Sequence, residues 1–185
     1  MDKVTYIAGR DPLPAFVRLG EGEALFMTLI VPEGESCRIA LEVDLDGPGA
    51  SLDLAGATMS TGSEQVSIQV TVRHNVPGCR SEQLFKSVAG GSAKVEFNGL
   101  VYVAQDAIHT VAHQQNHSLL VSESAVAESR PQLEIYADDV ECSHGATTGY
   151  LNPEELFYMR SRGIPEKEAR QMQIDAFLAP VLARQ

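Results

Sequence analysis

A chain of 185 residues with 44% apolar content is long enough for one domain with its own core, and no run of about 18 apolar residues offers a membrane-crossing helix. Its net charge of −11, from 25 acidic against 14 basic side chains, argues against a nucleic-acid or anionic-membrane surface, since both need a basic face. Cys37, Cys79 and Cys142 are widely spaced and odd in number, which makes no disulfide framework and fits a reducing cytoplasm.

The N-terminal MDKVTYIAGRDPLPAF has no continuous apolar core of a secretory leader. Residues 1–24 are rich in Gly and Pro and read as an irregular, capping segment with a short strand near Phe16. From Leu25 the texture changes. LFMTLIV (25–31), CRIALEVDLD (37–46), ASLDLAGATM (50–59), QVSIQVTVRHN (65–75), EQLFKSVAG (82–90), KVEFNGLVYVA (94–104), HSLLVSE (117–123) and PQLEIYADDVEC (131–142) alternate apolar and polar residues between turn signals. Period-two alternation over four to eight residues is the mark of a half-buried strand. Residues 25–150 are therefore an all-β body, and residues 1–151 carry the whole acidic excess. The strand anchors Leu54, Val70, Leu84 and Phe97 fall 16, 14 and 13 residues apart, a loose beat that suits either a sandwich or cupin-like roll or a β-helix.

Residues 151–185 form a helical subdomain. Asn152 caps, Pro153 occupies the first helical position and Glu155 completes a capping box for a helix over 153–162, which Gly163 ends. Pro165 opens a second helix. Its stripe of Ile174, Phe177, Leu178, Val181 and Leu182 must cover the β body or a partner, and Pro180 should kink or fray its end.

No phosphate-binding loop, nucleophile elbow, HExxH, CxxC or dinucleotide fingerprint is present. Cys142 and His144 are two residues apart, at what reads as the end of a strand, and so share a face. A thiolate and an imidazole suit zinc or an iron–sulfur species, but two ligands need others; a buried Cys beside a hydrogen-bonded His is the plainer reading. His109, His113 and His117 make a second candidate stripe for zinc or iron storage or sensing, unless TVAHQQN is a polar turn. His74 and Cys79 flank a Pro-Gly turn and read as structural. Asp138, Asp139 and Glu141 are close in sequence but alternate between faces, which disfavours a β-helix hydrolase or lyase site.

The motifs FNGL, CSHGAT and ELFYMRSRGI, in this order within residues 65–183, resemble the SufB/SufD family of iron–sulfur cluster assembly proteins. The resemblance implies a right-handed parallel β-helix core with a short C-terminal helical subdomain, and a non-catalytic scaffold. It further implies docking of a SufC-like ABC ATPase on the C-terminal helices, with Leu156, Phe157, Tyr158, Arg160 and Arg162 as contacts. A SufB-like subunit would pair with the β-helix, where a homodimer is the other arrangement. His144, with Cys142 beside it, falls on the position implicated in that interface, where a transient iron–sulfur cluster is ligated; this chain alone then need hold none. Asn116 falls where SufB-like members carry a functional cysteine, which aligns the chain with the SufD branch. Some complexes of the family bind a flavin, for which no residue here is assigned. Members are usually more than twice this length, so the chain matches the C-terminal half, as a short form or a piece.

Overall fold

The computed structural model describes residues 2–184; Met1 and Gln185, the outer limits of the terminal segments expected above, lie outside the described residues. Eleven strands come first among them: β1 (Asp2–Ile7), β2 (Phe16–Leu19), β3 (Ala24–Val31), β4 (Cys37–Leu45), β5 (Ser51–Ser60), β6 (Gln65–His74), β7 (Arg80–Ala89), β8 (Lys94–Val103), β9 (Val111–Leu120), β10 (Val126–Ile135) and β11 (Glu141–Tyr150). Two helices follow, α1 (Pro153–Ser161) and α2 (Glu166–Leu182).

Successive strands never pair. The odd-numbered ones form a six-stranded sheet in sequence order, and the even-numbered ones form a five-stranded sheet, every pair parallel. The chain therefore winds through two facing sheets, one strand of each per coil, as a parallel β-helix. This decides between the sandwich and the β-helix: each 13–16-residue beat is one strand, and a whole coil is two beats. Side chains one coil apart bond to each other across 29–31 residues of sequence, as in Asn75 to Asp46 and Gln114 to Gln83.

The core lies between the sheets. Leu52, Leu54, Val70, Val72, Phe85 and Phe97 are buried, and the Phe85 and Phe97 rings meet across it with centroids 4.7 Å apart. Toward β9 the inward positions turn polar, with Gln83, Ser87, Gln114, Asn116 and Ser118 all buried. At one corner of successive coils the backbone is left-handed, at Gly49 and Gly78 and then at His109 (φ 59) and Asp139 (φ 54). Glycine meets that demand without strain; the last two coils meet it with residue types that tolerate it.

Several local expectations change. Residues 2–7 are a strand, not irregular chain: Val4 and Tyr6 pair with Met27 and Leu29 and pack on the core. The TVAHQQN stretch is no turn, since β9 begins at Val111 and its Gln114 and Asn116 side chains point inward. PQLEIYADDVEC is two strands, not one. Ala137 and Val140 at the corner pack with Cys142 in an apolar cluster, so the apolar rhythm runs on through a bend that Asp139 makes. Cys142 and His144 accordingly open a strand rather than close one.

The helices start as the sequence indicates. The Asn152 side chain accepts from the Glu154 and Glu155 amides at 2.9 and 3.4 Å, behind Pro153. Glu155 does not close a capping box; its carboxylate accepts from Gln173 of α2 at 3.1 Å instead. Ile174, Leu178 and Val181 bury against Ala55, Ala57 and Val88, whose small outward side chains on β5 and β7 leave room for the helix. Leu182 is 42% exposed and drops out of the stripe. Pro180 sits within the last turn, where α2 continues to Leu182. So α2 covers its own β body, whereas α1 buries none of its residues fully.

Candidate functional site

β10 and β11 are the last strands of their sheets, so each leaves one edge of backbone N–H and C=O groups without a ladder partner. Cys142, His144, Ala146 and Thr148 of β11 pair with Ala112, Gln114, Asn116 and Ser118 of β9. Paired residues of a parallel ladder share a face, and those β9 residues are the buried, inward ones. Cys142 and His144 therefore face the interior of the helix at its open end. No coil covers them: His144 is exposed and Cys142 half-buried.

Cys142 packs with Val101, Val103, Ala107, Ala112 and Ala137. Burial pushes its thiol up, the Ala112 backbone opposes this, and the Glu141 carboxylate adds to the rise. The free thiol is thus protonated at neutral pH, and an incoming metal must displace that proton. Sulfur and imidazole nitrogen on one face are two soft-to-borderline ligands. Among the described residues, no three His, Cys, Asp or Glu side chains converge to hold a metal ion.

The three-histidine stripe does not form. His109 lies in the left-handed corner before β9 and pairs with Asp139 at 2.9 Å. His113 and His117 face outward on β9, where their Nδ1 atoms lie 2.7 Å from Ser143 Oγ and Thr147 Oγ1. His113 Nε2 stands 3.6 Å from Glu141 and 4.0 Å from Glu82. Burial, with the Lys86 ammonium second, pushes the His117 imidazole down. Asp138, Asp139 and Glu141 do not gather either, since Asp139 is tied to the corner and Glu141 faces His113.

Sequence reading missed the inward polar column. Gln114 donates to Gln83 Oε1 at 2.9 Å, and Asn116 crosses the interior to donate to Ser129 of β10 at 2.8 Å. Gly99 makes space for this: a Cβ there would stand 2.4 Å from Gln114 Oε1. The signal was the glutamine and asparagine spacing in AHQQNHS, legible only once that stretch is a strand.

The tail residues divide. Leu156 packs toward the α2 cluster, while Phe157 and Tyr158 are 73% and 60% exposed. Arg162 lies 5.3 Å over the Tyr158 ring, and Arg160 pairs with Glu166 at 3.4 Å. Beside them a groove of about 500 Å³ is lined by Leu119, Tyr150, Met159, Met172 and Phe177.

The family model described as "SUF system FeS cluster assembly, SufBD core domain" matches residues 16–177. The chain belongs to the SufB/SufD family. Within it, the chain is SufD-like. It is 39% identical over 161 residues to the iron–sulfur cluster assembly protein SufD of Escherichia coli, covering 87% of this chain and 38% of that protein. It is 32% identical to SufD of Bacillus subtilis (75% of this chain, 32% of that protein) and 34% identical to the chloroplastic protein ABCI7 of Arabidopsis thaliana (82% and 32%). The chain spans less than half the length of each of these relatives. Its family and its parallel β-helix thus agree with what the CSHGAT, FNGL and ELFYMRSRGI motifs imply.

Proposed function

We propose that this chain is a scaffold subunit for iron–sulfur cluster assembly, pairing through its open β-helix end with a SufB-like subunit. The observation that carries the reading is the pair Cys142 and His144 on the interior face of an uncovered coil, between two unpaired sheet edges. Parallel edges with free N–H and C=O groups favour a partner's strands. A cluster arriving at that seam is cargo. Cys142, once deprotonated by metal, and His144 supply one sulfur and one nitrogen, and the partner supplies the remaining ligands.

The second surface of the proposal is α1. Phe157 and Tyr158 stand out from a helix with no fully buried residue, flanked by Arg162 and the Met-lined groove. Aromatic and Arg side chains dominate interface energetics, which supports this face as the dock of a SufC-like ABC ATPase. Its ATP hydrolysis would supply the work, and the chain itself would carry no catalytic group. Three free cysteines suit a reducing compartment, taken here as the cytoplasm.

The test is anaerobic reconstitution with SufB-like and SufC-like subunits, comparing wild type with His144→Ala and Cys142→Ser. Assembly should survive while cluster content falls several-fold. Normal cluster content in both variants removes the pair from the mechanism. Self-pairing of this chain in place of binding the SufB-like subunit overturns the partner assignment.

A further inference from the structure

The interior amide column ends directly beneath His144. Gln83 of β7, Gln114 of β9 and His144 of β11 are successive register partners, so the three side chains stack along one inward column. Gln114 is fully buried, and its Nε2 donates to Gln83 Oε1 at 2.9 Å. Its Oε1 is also buried and accepts no hydrogen bond. A buried acceptor without a donor is costly and uncommon, and asks for a partner. Gly99 opposite leaves the space that this amide fills, and Pro131, the residue paired with Gly99 in the last coil, has no N–H to give. The side chain stacked on Gln114 from the open end is His144, about 4.8 Å away strand to strand.

We propose that Gln114 is a positioning residue for His144: its unpaired Oε1 accepts one imidazole N–H, leaving the other ring nitrogen deprotonated and directed out of the open end. With Gln83 Oε1 accepting from Gln114 Nε2, the Oε1 of Gln114 is the atom left free. A histidine that ligates a metal commonly gives its other N–H to such an acceptor, which sets the tautomer and the ring plane. The inference rests on the reading of His144 as a ligand; its subject is the isolated chain, where Gln114 Oε1 has no partner and His144 stands exposed above it, before any cluster or partner arrives.

The experiment uses the full chain labelled with ¹⁵N-histidine, at alkaline pH where imidazole is neutral, with His144 assigned by the resonances lost in His144→Asn. The wild type should show two widely separated ring-nitrogen resonances for His144, one protonated and one bare. Gln114→Met, which removes the acceptor, should draw both toward the averaged positions of a free histidine. Gln114→Glu, which keeps an acceptor, should retain the separation. An averaged His144 in the wild type overturns the proposal without any variant. So does an unchanged tautomer in folded Gln114→Met, or an averaged one in Gln114→Glu. Cluster yield in the reconstituted complex reads the functional reading separately: normal yield with His144→Asn sinks that reading and leaves the tautomer result standing.

Discussion

His74 Nε2 lies 2.9 Å from Ser81 Oγ inside the coil, and its Nδ1 has no partner. The ring is fully buried, and burial pushes its pKa down from 6.5 to about 4. Between those values the unfolded chain binds a proton that the folded chain refuses. The contribution is fully present above pH 6.5 and is lost as pH falls toward 4, amounting to about 3 kcal/mol at the acid end. Denaturant midpoints across that range should fall steadily in the wild type and flatten in His74→Gln. Backbone N–H groups, its own first, hold the Glu64 carboxyl below its usual 4.5 despite burial, so its loss comes at lower pH and leaves the His74 limb distinct.

Gly99→Ala should be costly although it adds a single methyl group. The new Cβ would stand 2.4–2.6 Å from the Gln114 amide, which is fully buried. Overpacking of this kind costs about 1–3 kcal/mol. Chemical denaturation should register that loss, and Gln114→Ala in the same chain should recover part of it, because the two changes share one space. Equal, additive losses would mean that the contact is relieved elsewhere.

The two faces of the tail should respond in opposite ways. Leu178 is buried on the β body, and Leu178→Ala should destabilise the chain by about 2–5 kcal/mol in a melting or denaturant experiment. Phe157→Ala with Tyr158→Ala removes exposed rings and should change stability by less than about 1 kcal/mol, while pull-down of the SufC-like ATPase is lost. Undiminished pull-down would move the dock away from α1.

Asn152 caps the first turn of α1 with its side-chain oxygen. Asn152→Ala removes the acceptor for the Glu154 and Glu155 amides and should cost about 0.5–2 kcal/mol. Amide exchange in the first turn of α1 should accelerate, with α2 unaffected.

Much of this molecule is legible one segment at a time. Alternation identifies the strands from Leu25 to Val103 because each buries one face, and that period survives whatever the strand pairs with. Asn152-Pro153 and Gly163 mark the limits of α1 because capping is local chemistry. The i, i+2 spacing puts Cys142 and His144 on one face for the same reason.

What the sequence by itself determined was therefore local: strand period, helix limits, the shared face of the Cys142–His144 pair, and a family resemblance carried by contiguous motifs. The tertiary structure alone decided which face was the interior, that the face stood open, and that Gln114 lay beneath His144. It also bent the chain at Asp139 and sent His109 to a corner away from His113 and His117. The physical reason is coil register. Residues 29–31 apart become hydrogen-bonded neighbours only when parallel ladders close between coils, and no local pattern carries that distance.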